Sequence, residues 1–319
     1  MMMTMSTCSI NPTVIEKIPA PTSTDEFKEV WGEAQVFKNG VTNERARELN
    51  FSTAKDLLPN IEVEASYSVE NNDTIIPVPF HNFLDYCAYN KPFTSNIFTH
   101  QEGIPREKTF KGENIYLFNF NCMFHEGLSE FVSCPSYIDD WFSKFFPIYT
   151  QCIVYGASHT WFFIGPGNTK TEMHTDHDAV HTTIQQLDGE KMFFLLSPEH
   201  MRFVNEKMGD SFFKTIEFSF SEGDYKVKTL TNQDLSIFSD IEVITTTLKE
   251  HDVVYLPENW AHYANSLSPS ISVSRDFIDE RNADRYFFSM MAISKNGHVL
   301  PNLIPNEMLN SVAKQHYAV

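Results

Sequence analysis

Apolar and polar positions follow two different periods along the chain. Before residue 60 the signal is helical, with apolar residues at three- and four-residue intervals from Asp25 to Trp31 and from Glu44 to Leu58. IEVEASY, residues 61–67, alternates strictly and predicts a half-buried strand. FHNFLDYCAY (80–89) returns to an amphipathic helix, and SYIDDWFSKFF (136–146) predicts another that Pro147 stops. The text then changes to short β-rich runs: 159–166, 179–187, 191–197, 252–257 and 270–277, each bounded by Gly, Pro, Asp or Asn. Two of them flank LDGEK, which reads as a hairpin turn of the Asp-Gly kind. Closely spaced strands without intervening helices predict a jelly roll, not a parallel α/β sheet. The expected fold is mainly β, a double-stranded β-helix barrel with flanking N- and C-terminal α-helices. Its expected division is an N-terminal helical and strand extension over 1–110, a barrel over 111–278 and a C-terminal helical segment over 279–319.

Composition narrows the function. Of 319 residues 42% are hydrophobic, enough for a large packed core and against disorder. The 42 acidic residues outnumber the 24 Lys and Arg, giving a formal charge of −18 that repels phosphate backbones, so nucleic acid is not an expected partner. The field leans toward a basic substrate. Cys8, Cys87, Cys122, Cys134 and Cys152 match neither a zinc ribbon nor a CxxC pair, and read as reduced thiols. The first residues lack a basic, apolar signal segment and no apolar run approaches a membrane span, so a cytoplasmic location without membrane contact is expected.

The chemistry concentrates in TEMHTDHDAVHTTIQQLDGEKMFFLLSP, residues 171–198. His174 and Asp176 stand at i and i+2, the same face of an extended chain, so imidazole and carboxylate converge on one cation. An HxD pair alone is weak. It gains weight from DVVYLPENWAHYANS (252–266), where Pro257-x-Asn259-x-x-His262 reads as a turn that aims a third ligand inward. Asn259 suits a left-handed position in that turn. Two histidines and one carboxylate make the facial set of non-haem iron oxygenases, whereas a closed zinc site needs a fourth ligand. Lys191 opens an otherwise apolar strand and shares a face with Phe193 and Leu195. Buried there, its ammonium needs an anion, which a dicarboxylate co-substrate would supply; at a strand edge, it would reach water. His177 and His181 offer an alternative three-histidine set. His159, His200 and His251 read as ordinary loop or strand-end residues.

HTD, then GEKMFFLLSP, then DVVYLPENWAH, in this order and spacing, resembles the Jumonji-C oxygenases of the cupin superfamily, most of all their small hydroxylase branch. The likeness covers roughly residues 112–278, and ENIYLFNFN and SCPSYIDDWF also resemble the family's approach to its barrel. The resemblance implies Fe(II) held by His174, Asp176 and His262. It implies 2-oxoglutarate as co-substrate, with its distal carboxylate on Lys191, Thr171 and Tyr116, and O2 as oxidant. Thr182 and Asp276 fall where relatives often carry asparagines near the co-substrate and metal. Arg275 is a rival anchor, because other oxygenases of this kind use an arginine beyond the distal histidine. Alternation puts Arg275 and Asp276 on opposite faces, so both cannot point inward, and Lys191 is the preferred anchor.

The implied activity is hydroxylation of an unactivated C–H bond in a protein side chain, peptide, free amino acid or similar small molecule. Phe163, Phe193 and Trp260 are candidates for a dry wall around it, although plain core packing is the better explanation of them. N-methyl-lysine demethylation, tRNA modification and a non-oxygenase metal-binding cupin are the competing classes. Residues 279–316 are a candidate homodimer surface.

Overall fold

The computed structural model describes residues 6–69, 72–97, 106–121, 127–145, 159–221, 223–229, 231 and 233–294. Four short N-terminal strands come first: β1 (Thr7–Ile10), β2 (Thr13–Val14), β3 (Lys17–Pro19) and, after helix α1 (Thr24–Lys28), β4 (Gln35–Lys38). Helices α2 (Glu44–Glu48) and α3 (Ala54–Leu57) lead to β5 (Glu62–Val69), β6 (Asn72–Pro79) and α4 (Phe80–Tyr89). Next are β7 (Phe93–Ile97), β8 (Arg106–Phe110), β9 (Ile115–Asn121) and α5 (Trp141–Phe145). The barrel strands follow: β10 (Thr160–Gly165), β11 (Lys170–His174), β12 (His181–Asp188) and β13 (Lys191–Leu196). Helix α6 (Pro198–Met208) and the hairpin β14 (Ile216–Ser221) and β15 (Asp224–Thr229) are inserted before β16 (Ile244–Leu248). β17 (Val253–Leu256), β18 (Ala261–Ser266), β19 (Ser270–Phe277) and helix α7 (Ala283–Ser294) complete the order.

Two sheets face each other. One has nine strands in the order β3-β4-β17-β12-β19-β10-β9-β5-β6, the other five in the order β11-β18-β13-β16-β2. From β10 to β13, and again from β16 to β19, successive strands alternate between the sheets, which is the winding of a double-stranded β-helix. The expected mainly β jelly roll is the fold found, and helices flank it on both sides in sequence. The nine-stranded sheet draws on both sides of residue 110, since β5 pairs with β9 and β4 with β17. Lys17 adds an ion pair to Asp252 at 2.5 Å.

Strand alternation sorts the core into three layers. Phe193 and Leu195 turn inward and meet Ile184, Val254, Leu256 and Ala264 between the sheets. Met192, Phe194 and Leu196 turn outward, where Val204 of α6 and Phe218 and Val227 of the inserted hairpin cover them. Behind the larger sheet, Val253, Tyr255, Val273 and Phe277 pack on Phe27, Phe37 and Tyr137. Each such fully buried side chain contributes roughly 1.5–3 kcal/mol.

Three expectations are corrected. LDGEK is not a hairpin turn, because β12 pairs with β17 and β19 while β13 pairs with β16 and β18. Gly189 sits at φ +75° against the Pro269 carbonyl, where an added Cβ would lie 2.0 Å away. With Glu190 N–H donating to Ser268 Oγ and Leu267 N–H to Glu190 O, the turn locks onto the 266–270 loop and carries the chain to the opposite sheet. The helix expected over 44–58 is two short helices, because Asn50 Oδ1 accepts from the N–H groups of Ser52 and Thr53 and breaks the run. The helix expected over 136–146 starts only at Trp141, where Asp140 Oδ1 accepts from Phe142 N–H at 2.8 Å. Its expected stop at Pro147 lies outside the described residues, as do Cys122 and Cys152.

Candidate metal centre

His174 ends β11 and lies directly opposite His262 on β18, so both rings project from neighbouring positions of the smaller sheet. Their centroids are 4.2 Å apart. Asn259, in the turn before β18, adopts φ 64°, the left-handed conformation expected of it. Asp176 follows β11 by two residues and brings a carboxylate oxygen to 3.7 Å from His174 Nε2. One ligand atom from each of His174, Asp176 and His262 lies within 4.8 Å of the other two, and among the described residues this is the cluster able to hold a metal.

The donors suit a divalent first-row ion. His174 Nδ1–H donates to Glu172 O at 2.7 Å, which leaves the Nε2 lone pair facing Asp176. Burial, and then the neighbouring His174, pull His262 down to about 4, so it is a neutral imidazole at physiological pH. Asp176 Oδ2 accepts from Thr182 Oγ at 2.6 Å. The three-histidine alternative does not assemble. His177 is exposed, and His181 is buried with Nδ1 accepting from Glu258 N–H at 3.0 Å and Nε2 3.5 Å from Asp279. His181 thus pins the turn that carries His262 instead of entering the cluster.

Lys191 faces the same interior, opposite Ser266 on β18, and is only 2% exposed. Its ammonium lies 5.8 Å from the centre of the Tyr116 ring and 5.7 Å from that of Phe163. No described residue offers it an anion or a hydrogen bond, and burial alone lowers it to about 7. Thr171 stands opposite Ala264, with its side chain by the Tyr116 hydroxyl. Burial raises that phenol well above its ordinary value, so it remains a hydrogen-bond donor. Gly165 lets Tyr116 close in, since a Cβ there would come within 2.8 Å of its ring. Phe193 and Trp260 are buried between the sheets, in the same layer as Leu195 and Leu256.

Thr182 sits between two carboxylates, 2.6 Å from Asp176 and 2.9 Å from Asp276. One hydroxyl hydrogen cannot serve both. Burial, and the charge on Asp176, raise Asp276 well above the carboxylate range, so Asp276 supplies the second hydrogen. Arg275 points to the far side of the sheet. It is buried against Asp140 at 3.0 Å and donates to Thr160 at 2.6 Å, which removes it from the interior that Lys191 faces.

Sequence reasoning missed His159. It is 4% exposed, stacks on Phe142 at 4.5 Å, and reaches Asp276 with Nδ1 at 3.4 Å and Tyr286 with Nε2 at 3.3 Å. No local signal marks it, because its partners lie 117 and 127 positions away. His200 meets Ser197 at the start of α6 and His251 lies beside Glu250, both remote from this cluster in their contacts.

Comparison with known proteins places the chain. It is 22% identical over 247 residues to the 2-oxoglutarate and iron-dependent oxygenase JMJD4 homolog of Drosophila melanogaster, covering 76% of this chain and 53% of that protein. It is 31% identical over 130 residues to the lysine-specific demethylase JMJ30 of Arabidopsis thaliana, covering 39% of this chain and 27% of that protein. The chain therefore spans about half the length of the first relative and about a quarter of the second. The Jumonji-C resemblance read from the motifs agrees with both. Residues 28–281 match the family model described as a cupin-like domain, and the chain belongs to that family.

Proposed function

We propose that the chain is an Fe(II)- and 2-oxoglutarate-dependent dioxygenase that hydroxylates a C–H bond of a protein side chain or an amino-acid-like molecule. The observation that carries this reading is Lys191, a buried ammonium to which no described residue offers an anion, in the same interior as the His174, Asp176 and His262 cluster. A cupin that only binds metal has no use for such a charge, and burying it is costly unless an anion arrives. The name of the Drosophila relative, which states both iron and 2-oxoglutarate, supports the same reading.

In this reading His174, Asp176 and His262 hold the metal on one side and leave positions open for co-substrate and oxygen. Lys191 takes the distal carboxylate of 2-oxoglutarate, and Tyr116 and Thr171 donate hydrogen bonds to it. Phe163 beside Lys191 keeps that end of the interior dry, which strengthens the Lys191 ion pair, and Phe193 and Trp260 wall the interior between the sheets. With iron bound, the site would couple decarboxylation of 2-oxoglutarate to succinate with hydroxylation of the substrate carbon.

Demethylation is the same chemistry at an N-methyl carbon, and the name of the Arabidopsis relative keeps it as the second reading. The −18 charge speaks against a tRNA substrate. The test is succinate release with Fe(II), 2-oxoglutarate and panels of free amino acids, peptides and N-methyl-lysine peptides. Substrate-stimulated succinate is expected; formaldehyde alongside it would select demethylation. No succinate with any panel, together with tight zinc or nickel binding, would replace the proposal with a non-oxygenase cupin. Among the described residues no helix is long and apolar enough to cross a membrane.

A further inference from the structure

Asp176 is the exposed end of a run of polar side chains that leads into the protein. Its side chain is 24% exposed, whereas Thr182, Asp276, His159 and Tyr286 behind it are 2%, 4%, 4% and 0% exposed. The contacts follow one another: Thr182 Oγ to Asp176 at 2.6 Å, Thr182 to Asp276 at 2.9 Å, Asp276 to His159 at 3.4 Å and His159 to Tyr286 at 3.3 Å. Four separate pieces of chain supply these groups: β12, β19, the residue before β10, and helix α7.

We propose that Asp276, His159 and Tyr286 are positioning residues that hold Thr182 against Asp176 and so tie the orientation of the ligand carboxylate to helix α7. The proposal rests on reading His174, Asp176 and His262 as a metal site. Strand register makes the hold rigid, since Thr182 and Asp276 face each other across β12 and β19 and Asp276 N–H donates to His159 O at 2.9 Å. On its other face the His159 ring is clamped by Phe142. Thr182 occupies Oδ2 of Asp176, which leaves Oδ1, the oxygen 3.7 Å from His174 Nε2, to face the cluster.

A second tie runs from the same helix and the residue before it to the turn just after Asp176. Asp178 and Ala179 are consecutive left-handed residues, at φ 67° and 56°. Alanine disfavours that conformation. The turn is held from outside: Asn282 Nδ2 donates to Ala179 O at 2.8 Å and Ser289 Oγ to Asp178 at 3.3 Å. Simple satisfaction of buried polar groups explains each bond singly, but does not explain why both sets converge on the segment that carries one ligand.

The test measures metal binding without turnover. Metal-free protein is titrated with Mn(II), read by electron paramagnetic resonance of the free ion, and with Co(II), read by its ligand-field absorption. Thr182→Val should weaken Mn(II) binding at least tenfold, within the tenfold to hundredfold range typical of groups that orient a ligand. It should also change the Co(II) spectrum, and Thr182→Ser should restore both. Tyr286→Phe, which keeps the ring in place, should shift both readouts in the same direction with an unchanged melting temperature. Wild-type Mn(II) affinity and Co(II) spectra in Thr182→Val and Tyr286→Phe, while Asp176→Ala has lost the metal, would overturn the proposal and leave the metal site standing. Wild-type metal binding in Asp176→Ala would instead remove the metal-site reading on which it rests.

Discussion

His174 and His262 oppose each other across the β11–β18 pair, so the distance between two proposed metal donors is set by strand register. A one-residue slip of either strand would turn one ring to the opposite face. The register shifts by one residue between this pair and Thr171 with Ala264, and Lys191 lies opposite Ser266 on the other side of β18, in the β13–β18 pair. The proposed metal ligands and co-substrate anchor are therefore placed by two ladders that share β18.

The ligands themselves come first among the tests. His174→Ala or Asp176→Ala should abolish iron-dependent succinate production. Both side chains are partly exposed and pack little, so the circular dichroism spectrum should stay that of the wild type. Turnover at the wild-type rate in either variant would refute the ligand assignment.

Lys191 gives a pH signature. Free, it titrates near pH 7; an anion favours its charged form and raises that value. Below pH 7 the ammonium is ready. Above it, binding must take up a proton. The affinity for 2-oxoglutarate should fall from pH 7 to 9, approaching tenfold per unit, and calorimetry in buffers of different ionisation heat should show net proton uptake. Lys191→Met should lose affinity on the order of a hundredfold, show no proton uptake, and melt at a higher temperature than the wild type without co-substrate.

Arg275 separates structure from binding. Its buried pair with Asp140 should make Arg275→Ala about 3–5 kcal/mol less stable, because the carboxylate is left buried without its counter-charge. Affinity for 2-oxoglutarate in the folded variant should stay within about twofold of the wild type, as expected for a group on the far side of the sheet. Lost affinity here, with little change in Lys191→Met, would exchange the two assignments.

His159 gives the fold an acid-side weakness. Burial first, then nearby Arg275, lower it to about 4, against about 6.5 in an unfolded chain. Between those values the unfolded state binds a proton that the folded state refuses. This part of the stability is complete above pH 6.5 and declines as pH falls toward 4, by about 3 kcal/mol in all. Asp140 and Asp178 oppose the shift and Arg275 adds to it. Urea unfolding from pH 4.5 to 7 should show a shallower slope in His159→Phe than in the wild type; parallel slopes would count against the assignment.

Much of this was legible because it is local. The i, i+2 spacing of His174 and Asp176, the turn at Asn259 and the alternation around Lys191 are backbone geometry written in neighbouring residues. Helix α4 and strand β19 match the expected 80–89 and 270–277 residue for residue. LDGEK was misread because its residues fit both a hairpin and a crossover. The choice is made by Pro269, which is 80 positions away. The roles of His159, Tyr286 and Asp140 were invisible for the same reason. Their partners meet them only after β10, β12 and β19 have come together.

The smaller sheet is finished by β2, whose residues 13–14 lie beside residues 244–245 of β16, and β4 covers β17 in the larger one. Each of these pairings closes a loop of more than 200 residues. Residues 13–14 and 35–37 find these partners only once β16 and β17 have been made. Such closure is entropically slow. Until these pairings close, one edge of β16 and one of β17 are open to pairing with other chains.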